Sequence, residues 1–333
     1  MDYACLALGP ARNIGRLHAA FSAQSRFPEA QERMFSGSLV AIVSPMDASG
    51  ALDFEAWDRL LDLHVRAGTS GIIVGGTTGE STALAEHELL ELLRRARTRL
   101  RGRASLIAGL GGSHTARVCE RAHTLSAEPI DGLLAVTPAY NRPTQEGLFQ
   151  HFAAIAEAAT KPILLYNVPS RTAVDLLPAT IGRLAKLPRI VGVKEAVPSV
   201  ARVVEVIKAA AEGFTVLSGD DQTARESILA GARGVISVTA NVAPEAMALM
   251  VAAAVRGDRA SAERIDASLA GLHRDLFVEA NPIPVKWALE QMGLIGSGIR
   301  LPLTRLSDSA QPAVGAALQS ALAGLSPAQA RSA

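Results

Sequence analysis

From Ser38 onward, short unbroken apolar runs alternate with longer amphipathic stretches. Leu39-Val40-Ala41-Ile42-Val43, ended by Ser44-Pro45, reads as a strand buried on both faces. Asp53 then stands ahead of Trp57, Leu60, Leu61 and Val65, a stripe on one helical face. This predicts a helix capped by Asp53 and closed by Gly68. The unit repeats. Further strands are predicted at Gly71–Gly75, Ala104–Gly109, Gly132–Val136, Pro162–Tyr166, Ile190–Lys194, Phe214–Leu217 and Gly234–Val238. Helices are predicted after them near 85–100, 115–126, 145–159, 178–186, 199–211, 222–231 and 244–255.

Eight strand–helix units with continuously apolar strands imply parallel pairing and a closed α/β barrel, the (β/α)8 TIM barrel. An open doubly wound sheet is the alternative. It would carry a glycine-rich fingerprint after its first strand, where this chain has Ser44-Pro45-Met46-Asp47. Strand signals stop after Asp258, and helices near 258–276, 283–292 and 309–323 follow. The reading is a catalytic barrel over 34–257 with a C-terminal helical appendage over 258–333. Residues 1–33 carry Arg12, Arg16, Arg26 and Arg33 without the apolar centre of a signal peptide, and are read as a disordered extension.

Composition removes several function classes. Lys and Arg total 33 against 32 Asp and Glu, so nothing marks a polyanion or membrane-surface binder, and 4% aromatics leave little for base stacking. No apolar run approaches the roughly 18 residues of a membrane span. Two cysteines, Cys5 and Cys119, form no disulfide framework or metal spacing, which suits a reducing cytoplasm. The seven histidines show no ligand spacing. His64 reads as a packed helix residue, and no metal is expected.

In such barrels the chemistry sits at the carboxyl ends of the strands. Strand 6 ends in Val193-Lys194-Glu195. An ammonium closing an apolar strand is costly to bury unless it sheds its proton, and the free amine is then a nucleophile for a ketone. The alternative is a Lys that snorkels to solvent or pairs with Glu195. Only five lysines occur in the chain, so Lys is not background. Strand 2 ends in Gly76-Thr77-Thr78-Gly79-Glu80-Ser81, a turn able to hold a small carboxylate. The chain has three tyrosines, and the two outside the extension, Tyr140 and Tyr166, both fall at strand ends. A phenol–hydroxyl chain is what Schiff-base chemistry needs to move protons. Arg171, expected on the loop after strand 5, could grip a carboxylate, with a surface salt bridge as its alternative role. The acid pair after strand 7, in Ser218-Gly219-Asp220-Asp221, argues against a phosphate site there.

The chain from about Met34 to Leu306 resembles the dihydrodipicolinate synthases of the pyruvate-dependent class I aldolase superfamily. The resemblance rests on Gly-Thr-Thr-Gly-Glu-Ser at 76–81, Tyr-Asn-Arg-Pro at 140–143, Tyr-Asn-Val-Pro-Ser-Arg-Thr at 166–172 and Gly-Val-Lys-Glu-Ala at 192–196. Ser-Gly-Asp-Asp at 218–221, Gly-Val-Ile-Ser-Val-Thr-Ala-Asn at 234–241 and Asn-Pro-Ile-Pro-Val-Lys at 281–286 extend it. It implies a lyase of lysine and diaminopimelate synthesis that condenses pyruvate with L-aspartate 4-semialdehyde, with no cofactor beyond pyruvate held covalently. It implies that Lys194 forms the Schiff base and that Tyr166 moves the proton, linked through Thr77 to Tyr140. Thr77 and Thr78 would hold the pyruvate carboxylate and Arg171 that of the semialdehyde, with Gly219 and the Ile236 carbonyl lining the pocket. Tyr140 would reach a neighbouring subunit, implying a homodimer or homotetramer.

N-acetylneuraminate lyases and keto-deoxy-sugar acid aldolases share Lys194, Tyr166 and the Gly-Thr turn, and are the competing reading. Arg171 within Val-Pro-Ser-Arg-Thr favours the synthase. One set of positions departs from the family. Where lysine-inhibited members place a Tyr, two His, an Asn and a Glu, this chain has Ala139, Glu86, Leu89, Ser113 and Arg117. Lysine feedback is therefore expected to be weak or absent.

Overall fold

The computed structural model describes residues 35–324; the expected extension over 1–33 lies outside them. Eight parallel strands close into a barrel in sequence order: β1 Gly37–Ala41, β2 Gly71–Val74, β3 Ser105–Leu110, β4 Gly132–Val136, β5 Ile163–Asn167, β6 Ile190–Glu195, β7 Thr215–Ser218 and β8 Gly234–Ser237. This is the (β/α)8 barrel predicted from the alternation. Closure runs through Gly37↔Gly234 in the β1–β8 register, where a Cβ on Gly234 would lie 2.0 Å from the Gly37 carbonyl oxygen. Only glycine permits that approach.

Strands buried on both faces need two cores, and the structure has two. Inside the barrel, Leu39, Ile73, Ile107, Leu134, Leu164, Leu217 and Ile236 meet, with Phe35 among them. Between barrel and helices lies a larger layer that includes Trp57, Leu60, Leu92, Phe152, Ile181 and Met250.

Several helices start where a polar side chain satisfies a free N–H group. Asp53 accepts from Ala56 N at the start of α1 (Phe54–Arg66), and Gly68 turns the chain away with φ +76°. Thr144, Ser199 and Asp258 do the same for Gln145–Ala158, Val200–Ala209 and Arg259–Asp275. His64 is buried as expected, bonded to Thr69 at 3.0 Å, and burial pushes its imidazole down to about 3.

Two short elements depart from the sequence reading. Arg171 was expected on a loop, but Pro169–Thr172 forms one helical turn, opened by a proline whose missing N–H costs nothing there. Thr239–Asn241 is a 3-10 turn after β8. The C-terminal helices Arg259–Asp275, Ile283–Gln291 and Gln311–Gly324 follow, and the second of them reaches the mouth of the barrel.

The register of β5 against β6 shifts by one residue: Ile163 pairs with Ile190, but Leu164 pairs with Gly192. Because strand side chains alternate faces, that extra residue decides which face each later side chain takes. It puts Lys194 beside Tyr166 on the inside and Glu195 beside Asn167 on the outside. Gly192 has to be small here, since a Cβ would meet Leu164 Cδ2 at 2.7 Å and the Thr215 carbonyl oxygen at 2.5 Å.

Candidate active site

Lys194 ends β6 inside the barrel, 5% exposed, with Nζ 4.4 Å from the centroid of the Tyr166 ring. Tyr166, at 7% exposure, is its register partner on β5. Among the described residues no carboxylate pairs with Lys194. Glu195 does not serve. It faces the helical shell, where both its oxygens accept from Asn167 Nδ2 at 3.1 Å and Oε1 also accepts from Val197 N. Burial pushes Glu195 up to about 7, against those bonds and the nearby Arg202 guanidinium. Arg202 is instead bidentate to Asp175, at 3.0 and 2.6 Å.

The wall beside Lys194 is tight. A Cβ on Gly219 would stand 2.9 Å from Lys194 Cε and 2.7 Å from Ala196 Cβ. Gly219 N donates to the Glu195 carbonyl at 2.7 Å, which pins the two strand ends together. Ile236, fully buried on β8, belongs to the same interior cluster as Tyr166 and Leu217. The acids after β7 brace loops: Asp221 Oδ2 accepts from Val238 N and Thr239 N at 2.9 Å each, and Asp220 Oδ2 accepts from Thr223 N and its hydroxyl.

The turn after β2 is closed by Gly79 N to Gly76 O, Glu80 N to Thr77 O and Ser81 N to Gly76 O. Thr78 is buried, and its hydroxyl accepts from Asn281 Nδ2 at 3.0 Å. Arg171, exposed on its helical turn, donates to the Asn281 carbonyl at 3.4 Å. Among the described residues no acidic side chain pairs with Arg171. Tyr140 stands apart, 95% exposed at φ +74°. Its loop is braced by Ser113 Oγ to Ala139 O, Asn141 Nδ2 to Ser113 O and Arg142 Nε to Ala173 O. Within one chain no hydrogen bond joins Tyr140, Thr77 and Tyr166 among the described residues. No group of three or more His, Cys, Asp or Glu among them could hold a metal ion.

Two sets of residues escaped the sequence reading. One is the outward network of Asn167, Asp175, Glu195 and Arg202. The other ties the β2 turn to the C-terminal helices: Lys286 and Glu80, both buried, form an ion pair at 2.5 Å, and Arg300 N donates to the other Glu80 oxygen. The scarcity of lysine that singled out Lys194 would equally have singled out Lys286, set in the apolar run Ile283-Pro284-Val285-Lys286-Trp287.

A model of the dihydrodipicolinate synthetase family matches residues 34–321. The chain belongs to this family. A 4-hydroxy-tetrahydrodipicolinate synthase of Laribacter hongkongensis is 52% identical over 288 residues, which span 86% of this chain and 99% of that relative. Among solved members of the dihydrodipicolinate synthetase family, the chloride-inhibited synthase of Acinetobacter baumannii, complexed with pyruvate, superimposes with TM-score 0.84. It shares 45% identity over 86% of this chain and 98% of that one. A monomeric dihydrodipicolinate synthase variant gives TM-score 0.85 at 38% identity, over 87% and 98%.

Proposed function

We propose that this enzyme condenses pyruvate with L-aspartate 4-semialdehyde to 4-hydroxy-tetrahydrodipicolinate, in the route to lysine and diaminopimelate, through a Schiff base on Lys194. The observation that carries the chemistry is an inward-facing lysine with no carboxylate partner, packed on a buried tyrosine at the carboxyl end of a barrel strand. The free amine attacks the pyruvate ketone. The carbinolamine then loses water, a methyl proton leaves to give the enamine that attacks the aldehyde carbon, and the amine of the semialdehyde adds to the re-formed imine carbon, closing the ring and expelling the Lys194 amine. Each step moves one proton, and the Tyr166 phenol carries it. Thr77 and Thr78 hold the pyruvate carboxylate, and Arg171 takes the carboxylate of the semialdehyde as a two-pronged donor. Gly219 and Ile236 shape the wall around Lys194. Support for pyruvate comes also from the Acinetobacter relative, which was solved with it.

Tyr140 completes the proton path from a second copy. A large ring held outward in a left-handed backbone conformation, on a loop braced by three hydrogen bonds, suits a surface covered by a partner. The active form is therefore a homodimer or homotetramer. A cytoplasmic setting, read from the cysteine usage, belongs to the same proposal, as does a division between barrel and C-terminal helices at 257/258.

Borohydride reduction in the presence of pyruvate tests the reading. Mass spectrometry should find one reduced pyruvyl adduct, on Lys194. Adduct elsewhere, or none, would refute the mechanism.

A further inference from the structure

The carbonyl end of β2 is shaped by residues some two hundred positions later in the chain. Glu80 sits in the turn that carries Thr77 and Thr78, at φ +55°, a left-handed conformation that a side chain disfavours. Both oxygens of its buried carboxylate are engaged, Oε1 by Lys286 Nζ and Oε2 by Arg300 N. Lys286 also donates to the Ser44 carbonyl at 3.1 Å, while Ser44 Oγ donates to the Gly79 carbonyl at 2.8 Å. The ammonium thus bridges the ends of β1 and β2. A Cβ on Gly79 would lie 3.1 Å from the Ile42 carbonyl oxygen, so the turn has no slack on its inner side. Asn281, from the same C-terminal segment, meets both substrate grips: its amide bonds the Thr78 hydroxyl and its carbonyl accepts from Arg171.

A pair of buried charges is a poor stabiliser, since desolvation offsets the attraction. Burial holds the Lys286 ammonium below its ordinary value even against the pull of Glu80. What such a pair does supply is a fixed geometry. We infer that Lys286, Glu80 and Asn281 are positioning residues for pyruvate, holding the Thr77–Thr78 hydroxyls where the carboxylate binds. This rests on the reading above, in which that turn is the carboxylate site. The C-terminal helices are then part of the site, and the donor that Asn281 gives Thr78 leaves the threonine's own proton available to the substrate.

Two variants test the assignment. The double variant E80Q/K286M replaces the charge pair by neutral groups of similar shape, and N281A removes only the bond to Thr78. Pyruvate is titrated into borohydride trapping of Lys194, alongside steady-state kcat and KM for both substrates. In each variant half-saturating pyruvate should rise about tenfold or more, while kcat and the semialdehyde KM move less than about threefold. Folded variants that trap pyruvate with the wild-type concentration dependence would overturn the assignment. So would equal losses for both substrates, which a merely structural role would give. If the double variant does not fold, N281A decides alone; if neither folds, the residues are structural and the assignment falls. A wild-type chain that traps no pyruvate would instead defeat the reading of the reaction itself, and this inference with it.

Discussion

Gly219 offers a direct measure of how closely the Lys194 amine must be placed. Its φ lies outside the left-handed region, so G219A adds a methyl group without straining the backbone. That carbon would meet Lys194 Cε at 2.9 Å, Ala196 Cβ at 2.7 Å and Ala196 Cα at 3.0 Å. Carbon pairs settle at about 3.5–4.0 Å, so the overlap with Cε is roughly 0.6 Å or more. The backbone yields little, because Gly219 N is bonded to Glu195 O and Ala196 N to Asn167 O. The lysine stem gives way, carrying Nζ with it by a comparable distance. Overpacking of this kind costs about 1–3 kcal/mol of stability, and a misplacement near 1 Å costs about 10²-fold in rate. Stopped-time borohydride trapping at saturating pyruvate should show G219A slowed by about that factor, with thermal unfolding lowered by only a few degrees. G68A is the control. Gly68 has φ +76° with nothing within 4 Å, so that variant should lose about 1 kcal/mol and trap at the wild-type rate. Normal trapping by G219A would refute the claim that this contact sets the amine.

Three further outcomes are expected. R171A should lose condensation by about 10²-fold or more while still trapping pyruvate on Lys194; loss of trapping as well would make Arg171 structural. Glu195 is held at about 7 against an ordinary 4.5, so the folded chain keeps this proton longer than the unfolded chain. The stability it confers is full below about 4.5 and is lost as pH rises through 7. The gap corresponds to about 3 kcal/mol, so denaturant unfolding should show E195Q gaining on wild type by up to that amount between pH 5 and 8, and a constant difference would contradict it. L-lysine should inhibit weakly or not at all in initial-rate assays: Leu89 is buried, Glu86 and Leu89 line a small cavity together with Arg121, and Ser113 is bonded to the Ala139 carbonyl. Inhibition at micromolar lysine would sink that expectation.

Much of the barrel was legible because the strands are short apolar runs and several helices show a stripe with a polar residue at the start. Strand and helix ends fell within a residue or two of the prediction, since Asp53, Thr144 and Ser199 mark them locally. Lys194 and Tyr166 could be picked out as polar groups where an apolar strand stops. What stayed hidden depends on long-range pairing. Glu195 is adjacent to Lys194 and was a natural partner for it, yet the alternation of the strand sends it through the sheet to Asn167 and Val197. The bond from Asn281 to Thr78 spans a separation of 203 residues, which no local pattern encodes. The helical turn at Pro169–Thr172 is too short to show a periodicity.

The one-residue shift between β5 and β6 makes this enzyme sensitive to counting as well as to identity. Removing Val193, which lies between that shift and Lys194, would rotate the end of β6 by one position. The carboxylate of Glu195 would then face the Tyr166 ring, and the ammonium of Lys194 would lie opposite Leu165 in the apolar shell. Such a chain could keep its barrel and its composition and have no nucleophile. Point substitutions alone would not locate this dependence; scanning single-residue deletions along β5 and β6 would.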